Sequence, residues 1–153
     1  SRPDAVSPHR EFLAPSRFRE VLPDPDAPAP DQVTRAVFCT GKVYYDLAAC
    51  RKERNIADTV IIRLEQIYPL AREQLTFLLA PYQKVRDFVW CQEEPSNMGA
   101  WGHLRNRLGH LFATSFRYAG RPPMACPAEG AKALHAAAQK RLLAAAFGPR
   151  TQS

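Results

Sequence analysis

The sequence contains no long hydrophobic run. No apolar stretch in its 153 residues approaches the roughly 18 residues that a membrane-spanning helix requires. The amino terminus, SRPDAVSPHREF, has neither the apolar core nor the small-residue cleavage site of a secretory signal. We therefore expect neither a membrane protein nor a secreted one. The initial Ser in place of Met fits a processed product or a piece of a longer protein.

Cysteine is scarce, and its four positions are far apart: Cys39, Cys50, Cys91 and Cys126. Metal sites gather Cys and His at short spacings, whereas these cysteines form no CxxC pair and the four histidines are equally dispersed. Only His103 and His110 share a helical face, at i and i+7. Cys39 and Cys91 lie inside apolar runs, where a thiol behaves as a small hydrophobe. We predict reduced thiols in an intracellular protein, and no metal site.

Acidic residues are almost missing from the carboxyl-terminal part of the chain. The net charge is +6, and after Glu94 a single acid, Glu129, stands against eight Lys and Arg. Such an excess fits a nucleic acid or an acidic protein neighbour. Because the basic residues are scattered, and because no aromatic pattern accompanies Arg105 and Arg107, we favour an ordinary surface or an acidic neighbouring domain over nucleic acid.

The sequence also lacks the common catalytic and phosphate-binding motifs, since it contains no GxxxxGK[ST], GxGxxG or GxSxG. Thr40-Gly41-Lys42 follows a predicted strand, and a helix start beside a lysine can hold an anion. The alternative is a tight turn in which Thr40 caps the helix. Glu93-Glu94 is the only pair of adjacent carboxylates. Adjacent residues on an extended chain point to opposite sides, so this pair is poorly placed for acid–base catalysis.

The distribution of proline predicts a chain in three parts. Residues 1–31 contain seven of the fourteen prolines, which prevents helix and central strand. We predict an arm or interdomain linker over residues 1–32 that lies against a surface. A folded domain then covers residues 33–148, and residues 149–153 form a tail.

Short apolar runs alternate with amphipathic stretches through the rest of the chain. The runs predict four strands: Ala36–Cys39, Thr59–Leu64, Phe88–Cys91 and Ser115–Tyr118. Helical spacing predicts helices around residues 43–54, 75–82, 101–111 and 134–145. Continuous apolar strands separated by helices predict a three-layer α/β domain, with a mostly parallel sheet of about four to five strands and helices on both faces.

Ligands of open α/β sheets bind beyond the carboxyl ends of the strands, where this chain places several polar residues. The candidate residues at this edge are Thr40, Gly41, Lys42, Glu93, Glu94, Asn97 and Arg121. They are candidates for fixing a loop or an interface, or for binding an anion. No residue is a candidate for catalysis, cofactor binding or metal binding.

Two pairs of segments resemble one family. FCTGKVYYDLAACRKER with IIRLEQIYPL, and VWCQEEPSNMGAWGHLRNRL with RYAGRPP, are similar to the C-terminal domain of the 2-oxoglutarate dehydrogenase first component. The likeness runs from about Val33 to Phe147, and RPDAVSPHREF resembles the linker that leaves the preceding pyrimidine-binding domain. A looser frame of strand, glycine turn and helix resembles the transketolase C-terminal superfamily.

This resemblance implies a thiamine diphosphate enzyme that decarboxylates 2-oxoglutarate and passes the succinyl group to the lipoyl arm of a succinyltransferase. The cofactor and its magnesium would belong to two preceding domains of a homodimer, whose motifs this chain lacks. We therefore expect this chain to be inactive alone and to stabilise the dimer, with Glu93, Glu94 and Asn97 fixing a boundary loop. The implied location is the cytoplasm of a bacterium or the mitochondrial matrix of a eukaryote.

Two alternatives stay open. NMG and RPP are shared with enzymes of the 2-oxoadipate type, so this domain leaves the oxo acid undecided. A stand-alone module that binds a nucleotide or another anion at Gly41-Lys42 is the alternative from another functional class.

Overall fold

A computed structural model describes residues 19–123 and 132–149 of the chain. Its five strands are β1 (Val21–Leu22), β2 (Arg35–Cys39), β3 (Thr59–Leu64), β4 (Asp87–Pro95) and β5 (Arg117–Arg121). They form one sheet in the order β1-β3-β2-β4-β5, in which β1 runs antiparallel to β3 and all other neighbours are parallel. The described helices are α1 (Val43–Glu53), α2 (Arg72–Leu79), α3 (Trp101–Phe112) and α4 (Lys132–Phe147).

The helices cover both faces of the sheet, which confirms the predicted three-layer α/β domain. On one face α2 and α3 pack over Phe38, Ile62 and Trp90; on the other, α1 and α4 pack over Val37 and Ile61. Strand residues alternate between these two cores because successive side chains point to opposite faces. None of the described helices is long and apolar enough to cross a membrane.

The fourth predicted strand was placed too early, since β5 begins at Arg117 and not at Ser115. Phe116 is instead directed into an aromatic cluster, 5.2 Å from the ring of Phe38 and 5.4 Å from that of Phe88. The strand continues through Gly120, which local sequence rules assign to a turn. Tyr118 and the Gln92 backbone lie so close to Gly120 that a larger residue would overlap with them, which explains a glycine inside this strand.

Residues 19–32 of the predicted arm lie against the domain. β1 pairs with the end of β3, and the Asp24 side chain then continues this pairing by accepting the Ile61 N–H at 2.9 Å. Arg51 of α1 forms a buried ion pair with Asp24 and also donates to the Thr59 carbonyl at 3.1 Å. A charge buried at this depth needs such a partner, so this pair fastens the segment to the sheet. Residues 1–18 and 150–153 lie outside the described residues.

A second ionic cluster joins the beginnings of three strands. Asp87, at the start of β4, accepts hydrogen bonds from Arg35 of β2 at 2.8 Å and from Arg117 of β5 at 3.0 Å. Burial alone raises the pKa of the Asp87 carboxyl, but the hydrogen bonds from Arg117 and Arg35 outweigh burial and hold the pKa below its ordinary value. The cluster therefore favours the ionised carboxylate in the folded state.

The same two arginines cap the last turn of α4. Arg35 donates to the carbonyl oxygens of Phe147 at 2.9 Å and Gly148 at 2.7 Å, and Arg117 donates to that of Ala145 at 2.7 Å. The final carbonyls of a helix have no partner within the helix and carry partial negative charge, so cations stabilise them. The cluster thus ties α4 to the sheet.

Asp87→Asn should lower the free energy of unfolding at pH 7 by about 2–4 kcal/mol, because it leaves two arginines without their anion. The folded-state pKa of Asp87 is depressed, so its stabilising contribution is complete above the carboxyl's unfolded pKa and is lost as pH falls through the folded value. Urea unfolding at several pH values measures this. The difference between wild type and variant should shrink below about pH 4; a difference that is constant with pH would contradict this linkage.

Candidate functional site

The carboxyl ends of the parallel strands form one edge of the sheet, the carboxyl edge. Its topological switch point, where successive connections leave in opposite directions, lies between β2 and β4. After β2 the chain passes through α1 to β3 on one side, and it then crosses back through α2 to β4 on the other. Open α/β sheets bind ligands at such a point. Gly41 makes the turn after β2 with φ +77°, a conformation that strains other residues, although no heavy atom within 4 Å would oppose a Cβ there.

Side chains of the protein itself occupy this switch point. Lys42 Nζ contacts both carboxylate oxygens of Glu93, at 3.0 and 3.1 Å. From α4, Gln139 Nε2 donates to Glu93 at 3.1 Å and to Asp46 of α1 at 2.6 Å. Glu93 therefore neutralises the lysine that the sequence offered as an anion ligand, although the Lys42 side chain remains 77% exposed.

The predicted capping role of Thr40 is wrong. α1 begins at Val43 with Lys42 at the N-cap position, and its first backbone N–H groups receive no side-chain capping hydrogen bond. Gly41 makes the turn and Lys42 already has helical backbone angles, so Thr40 lies two residues before the N-cap position and is too far back to cap. The structure thus places Thr40 and Gly41 in the turn and Lys42 at the helix start.

A buried amide, that of Gln92 in β4, organises the loop between β4 and α3. Its Oε1 accepts the indole N–H of Trp90 at 2.8 Å and the backbone N–H of Trp101 at 3.1 Å. Its Nε2, which carries two hydrogens, lies within hydrogen-bond distance of three carbonyl oxygens: those of Glu94 at 3.1 Å and Pro95 at 3.0 Å at the end of β4, and that of Met98 at 2.9 Å in the loop. Gln92 is 1% exposed, so these bonds replace water for every polar group involved.

Tyr118 of β5 supports the same loop from the neighbouring strand. Its hydroxyl lies 2.7 Å from the Arg121 carbonyl and 3.1 Å from that of Glu94. Burial, assisted by the nearby Cys91 and Glu94 and opposed by hydrogen bonds, raises the pKa of Tyr118 to about 12, so the phenol keeps its proton and acts as a donor. The loop is thereby joined to the end of β5.

Two glycines give this cluster the space it needs. Gly99 has φ +66°, and a Cβ on it would lie 3.1 Å from Gln92 Oε1. A Cβ on Gly120 would lie 2.5 Å from the Tyr118 hydroxyl and 2.7 Å from the Gln92 carbonyl oxygen. Both substitutions would force displacement, and at Gly120 the obstacle includes backbone.

The remaining predicted residues have different surroundings. Glu94, near the end of β4, and Asn97, in the loop, are exposed, and it is the Glu94 carbonyl, not its carboxylate, that Gln92 and Tyr118 bind. Arg121 ends β5; its carbonyl accepts the Ser96 N–H at 3.1 Å, and its guanidinium lies 3.1 Å from His135 Nδ1. The structure thus brings Lys42 to Glu93, while the functional roles suggested for these residues stay predictions.

Sequence reasoning missed Gln92 and Tyr118, which hold the loop, and Gln139, which binds Glu93 and Asp46. The signal for Gln92 was its place directly after the apolar run FVWC, where a polar residue is buried and therefore needs partners. Nothing local distinguished Tyr118 or Gln139, since their partners lie on other elements.

The thiols beneath this edge are poor nucleophiles. Cys39 and Cys91 are register partners on β2 and β4, and both are fully buried. Burial, followed by the charge of Glu93, raises the pKa of Cys91 to about 12, and burial also raises that of Cys39. Protonated thiols neither attack nor ligate metals. Among residues 19–123 and 132–149, no group of three or more His, Cys, Asp or Glu side chains could hold a metal ion.

The geometry defines an open α/β domain whose carboxyl edge is held together by its own polar side chains. Comparison with known proteins identifies the family. Residues 6–147 match the model of the 2-oxoglutarate dehydrogenase C-terminal family, and the chain belongs to that family.

Curated relatives are similar over nearly the whole chain. The 2-oxoglutarate dehydrogenase E1 component of Cupriavidus necator is 44% identical over 146 residues, which cover 94% of this chain and 15% of that protein. The E1 component of Azotobacter vinelandii is 44% identical, covering 90% and 15%. The mitochondrial 2-oxoglutarate dehydrogenase of Caenorhabditis briggsae is 39% identical, covering 95% and 15%. The chain therefore spans about 15% of the length of these relatives.

Gln92→Leu should lower the free energy of unfolding by about 2–4 kcal/mol, because it leaves the Trp90 indole and the Trp101 amide without their buried acceptor. Hydrogen exchange should accelerate at the amides of residues 96–101. Glu94→Gln is the control, because its exposed carboxylate makes none of these bonds. Equal effects of the two substitutions would refute the central place given to Gln92.

Gly120→Ala should lower the free energy of unfolding by about 1–3 kcal/mol through steric overlap. Adding Tyr118→Phe should recover only part of the loss, since the Gln92 carbonyl still opposes the methyl group. Gly102→Ala, in open space, is the matched control and should not destabilise. Chemical denaturation of the wild type and the three variants measures these free energies of unfolding. An unchanged free energy in Gly120→Ala would show that the packing around Gly120 is not tight.

Proposed function

We propose that this chain is the C-terminal domain of a 2-oxoglutarate dehydrogenase E1 component. Such an enzyme oxidatively decarboxylates 2-oxoglutarate with thiamine diphosphate and transfers the succinyl group to the lipoyl group of a succinyltransferase in the tricarboxylic acid cycle. The observation that carries the proposal is the family match over residues 6–147, supported by relatives at 44% identity.

The residues of the carboxyl edge do not fit thiamine diphosphate or its magnesium. A diphosphate needs a row of free N–H groups and uncommitted cations, but Lys42 is paired with Glu93 and the turn contains only one glycine. Magnesium needs several oxygen ligands, and the described residues contain no suitable cluster. In this proposal cofactor and metal belong to preceding domains of the parent, and no catalytic step is assigned to this chain.

The role proposed for the domain is to support the parent dimer. Gln92 holds the β4–α3 loop in place without any ligand, which leaves Lys42, Glu94 and Asn97 at an exposed, preformed rim. A preformed surface loses little conformational entropy when it contacts another domain or subunit. We assign this rim, with Thr40, Gly41, Glu93 and Arg121, to contacts with the preceding domains or the second subunit.

The proposed organisation keeps residues 1–32 as the arm from the preceding domain, residues 33–148 as the folded domain and residues 149–153 as a tail. The Asp24–Arg51 pair supports an arm that is fixed to the domain where it enters. The compartment follows the source: cytoplasm in a bacterium, mitochondrial matrix in a eukaryote. The lipoyl-bearing succinyltransferase is the partner of the whole enzyme.

The proposal is tested by isolating the native polypeptide that contains this sequence. It should be several times heavier than 17.2 kDa, and with thiamine diphosphate, Mg²⁺ and an artificial electron acceptor it should oxidise 2-oxoglutarate. The 153-residue chain assayed at equal concentration should show no turnover. A native polypeptide of 17.2 kDa, or a parent without this activity, would contradict the proposal.

The same assay decides between the two oxo acids. The parent should show a higher kcat/KM for 2-oxoglutarate than for 2-oxoadipate; the reverse order would assign the domain to an enzyme of the 2-oxoadipate type.

A further inference from the structure

The solvent face of α3 is positively charged and contains no acid. Gly102, Asn106 and His110 follow one another along its middle, at i, i+4 and i+8, and His103 and Arg107 flank them. The buried side of the helix is formed by Trp101, Leu104 and Leu108. Two of the eight basic residues that follow Glu94, Arg105 and Arg107, are thus exposed on the helix that follows the organised loop.

The arginines of α3 have no anionic partner within the described parts of the chain. Arg107 donates to the carbonyl of its own helix residue His103 at 3.0 Å, and Arg105 lies over the Trp101 ring at 5.6 Å. Both guanidinium groups belong to exposed residues. By contrast, Arg35, Arg51, Arg63 and Arg117 each have a carboxylate within 4 Å. Among residues 19–123 and 132–149, no acid pairs with these two cations, so their field extends into the solvent on this side.

An exposed aromatic residue lies beside these charges. Tyr68 is 72% exposed, and its ring meets the His103 ring edge-on at a centroid distance of 5.3 Å. Tyrosine and arginine are the residues that most often supply the binding energy of protein interfaces. This combination of one exposed tyrosine and two unpaired arginines matches that composition.

Gly102 provides an independent observation. Glycine is a poorer helix former than alanine, and a Cβ at Gly102 would meet no heavy atom within 4 Å. Packing inside the domain therefore does not require this glycine, unlike Gly109 of the same helix, where a Cβ would lie 2.8 Å from the Thr114 carbonyl oxygen. At a position where no packing within the domain requires glycine, the missing side chain permits another surface to approach the helix backbone closely.

We propose that the solvent face of α3, together with Tyr68, docks against an acidic protein surface. The inference stands on charge, aromatic exposure and the open space at Gly102, and it does not require the function proposed above. Nucleic acid is the less favoured partner, because binding along a phosphate backbone commonly uses about 6–10 cationic contacts and this face supplies two arginines.

A fluorescent deca-glutamate peptide at low ionic strength is the probe, titrated with the 153-residue chain. Arg105→Glu combined with Arg107→Glu should weaken binding at least about tenfold. Lys140→Glu combined with Arg141→Glu makes the same change in net charge on exposed residues of α4 and should weaken it far less. Equal loss in both double variants would overturn the proposal, because it would show attraction to net charge alone.

Gly102→Leu separates docking from folding. Leucine is a good helix former, so the thermal midpoint should stay the same or rise, while its bulk should weaken peptide binding several-fold. Unchanged peptide affinity in this variant would overturn the close approach at Gly102. A single-stranded DNA oligonucleotide that binds more tightly than the peptide, and loses affinity in the α3 double variant, would overturn the acidic-protein partner in favour of nucleic acid.

Discussion

The carboxyl edge depends on one side chain, the buried amide of Gln92. Its five hydrogen-bond contacts join the Trp90 indole, the start of α3, the last two carbonyls of β4 and the Met98 carbonyl of the intervening loop. The Trp90 indole N–H, the Trp101 amide and the Pro95 carbonyl make buried bonds, and each group would cost about 1–3 kcal/mol if left unpaired. Because the amide both donates and accepts, a single residue joins the strand, the loop and the helix start.

The opposite edge is held by charge. There Asp87 joins the starts of β2, β4 and β5, and the two arginines that bind it also complete the end of α4. Between the two edges lie apolar cores on both faces of the sheet. The result is a domain whose surface is set by internal bonds, which suits a role in supporting neighbouring domains.

Much of the fold could be predicted because its signals are local. β2, β3 and β4 are apolar runs, and the regular spacing of Val43 with Leu47 locates α1. β1 could not be found in this way, because its two residues lie among prolines and are held by the distant Arg51 and Ile61 through Asp24. The start of β5 was predicted too early because Phe116, directly before the strand, is apolar but packs into the aromatic cluster of the core.

The position of the candidate site could be predicted from the sequence, but the contacts between its side chains could not. Topology places polar residues at the carboxyl edge, and Lys42 and Glu93 do meet there. Their pairing, and the bonds between Tyr118 and the carbonyls of Glu94 and Arg121, join residues distant in sequence. The sequence alone also does not show whether Thr40 or Lys42 occupies the N-cap position of α1.

The role proposed above for this domain is to stabilise an assembly. The most direct test is the specific activity of the parent enzyme bearing Gln92→Leu, measured over a wide range of enzyme concentrations with dimer content followed by sedimentation. The account predicts that activity falls at low concentration together with dimer content and returns at high concentration. A fully dimeric variant with a reduced kcat at every concentration would contradict it.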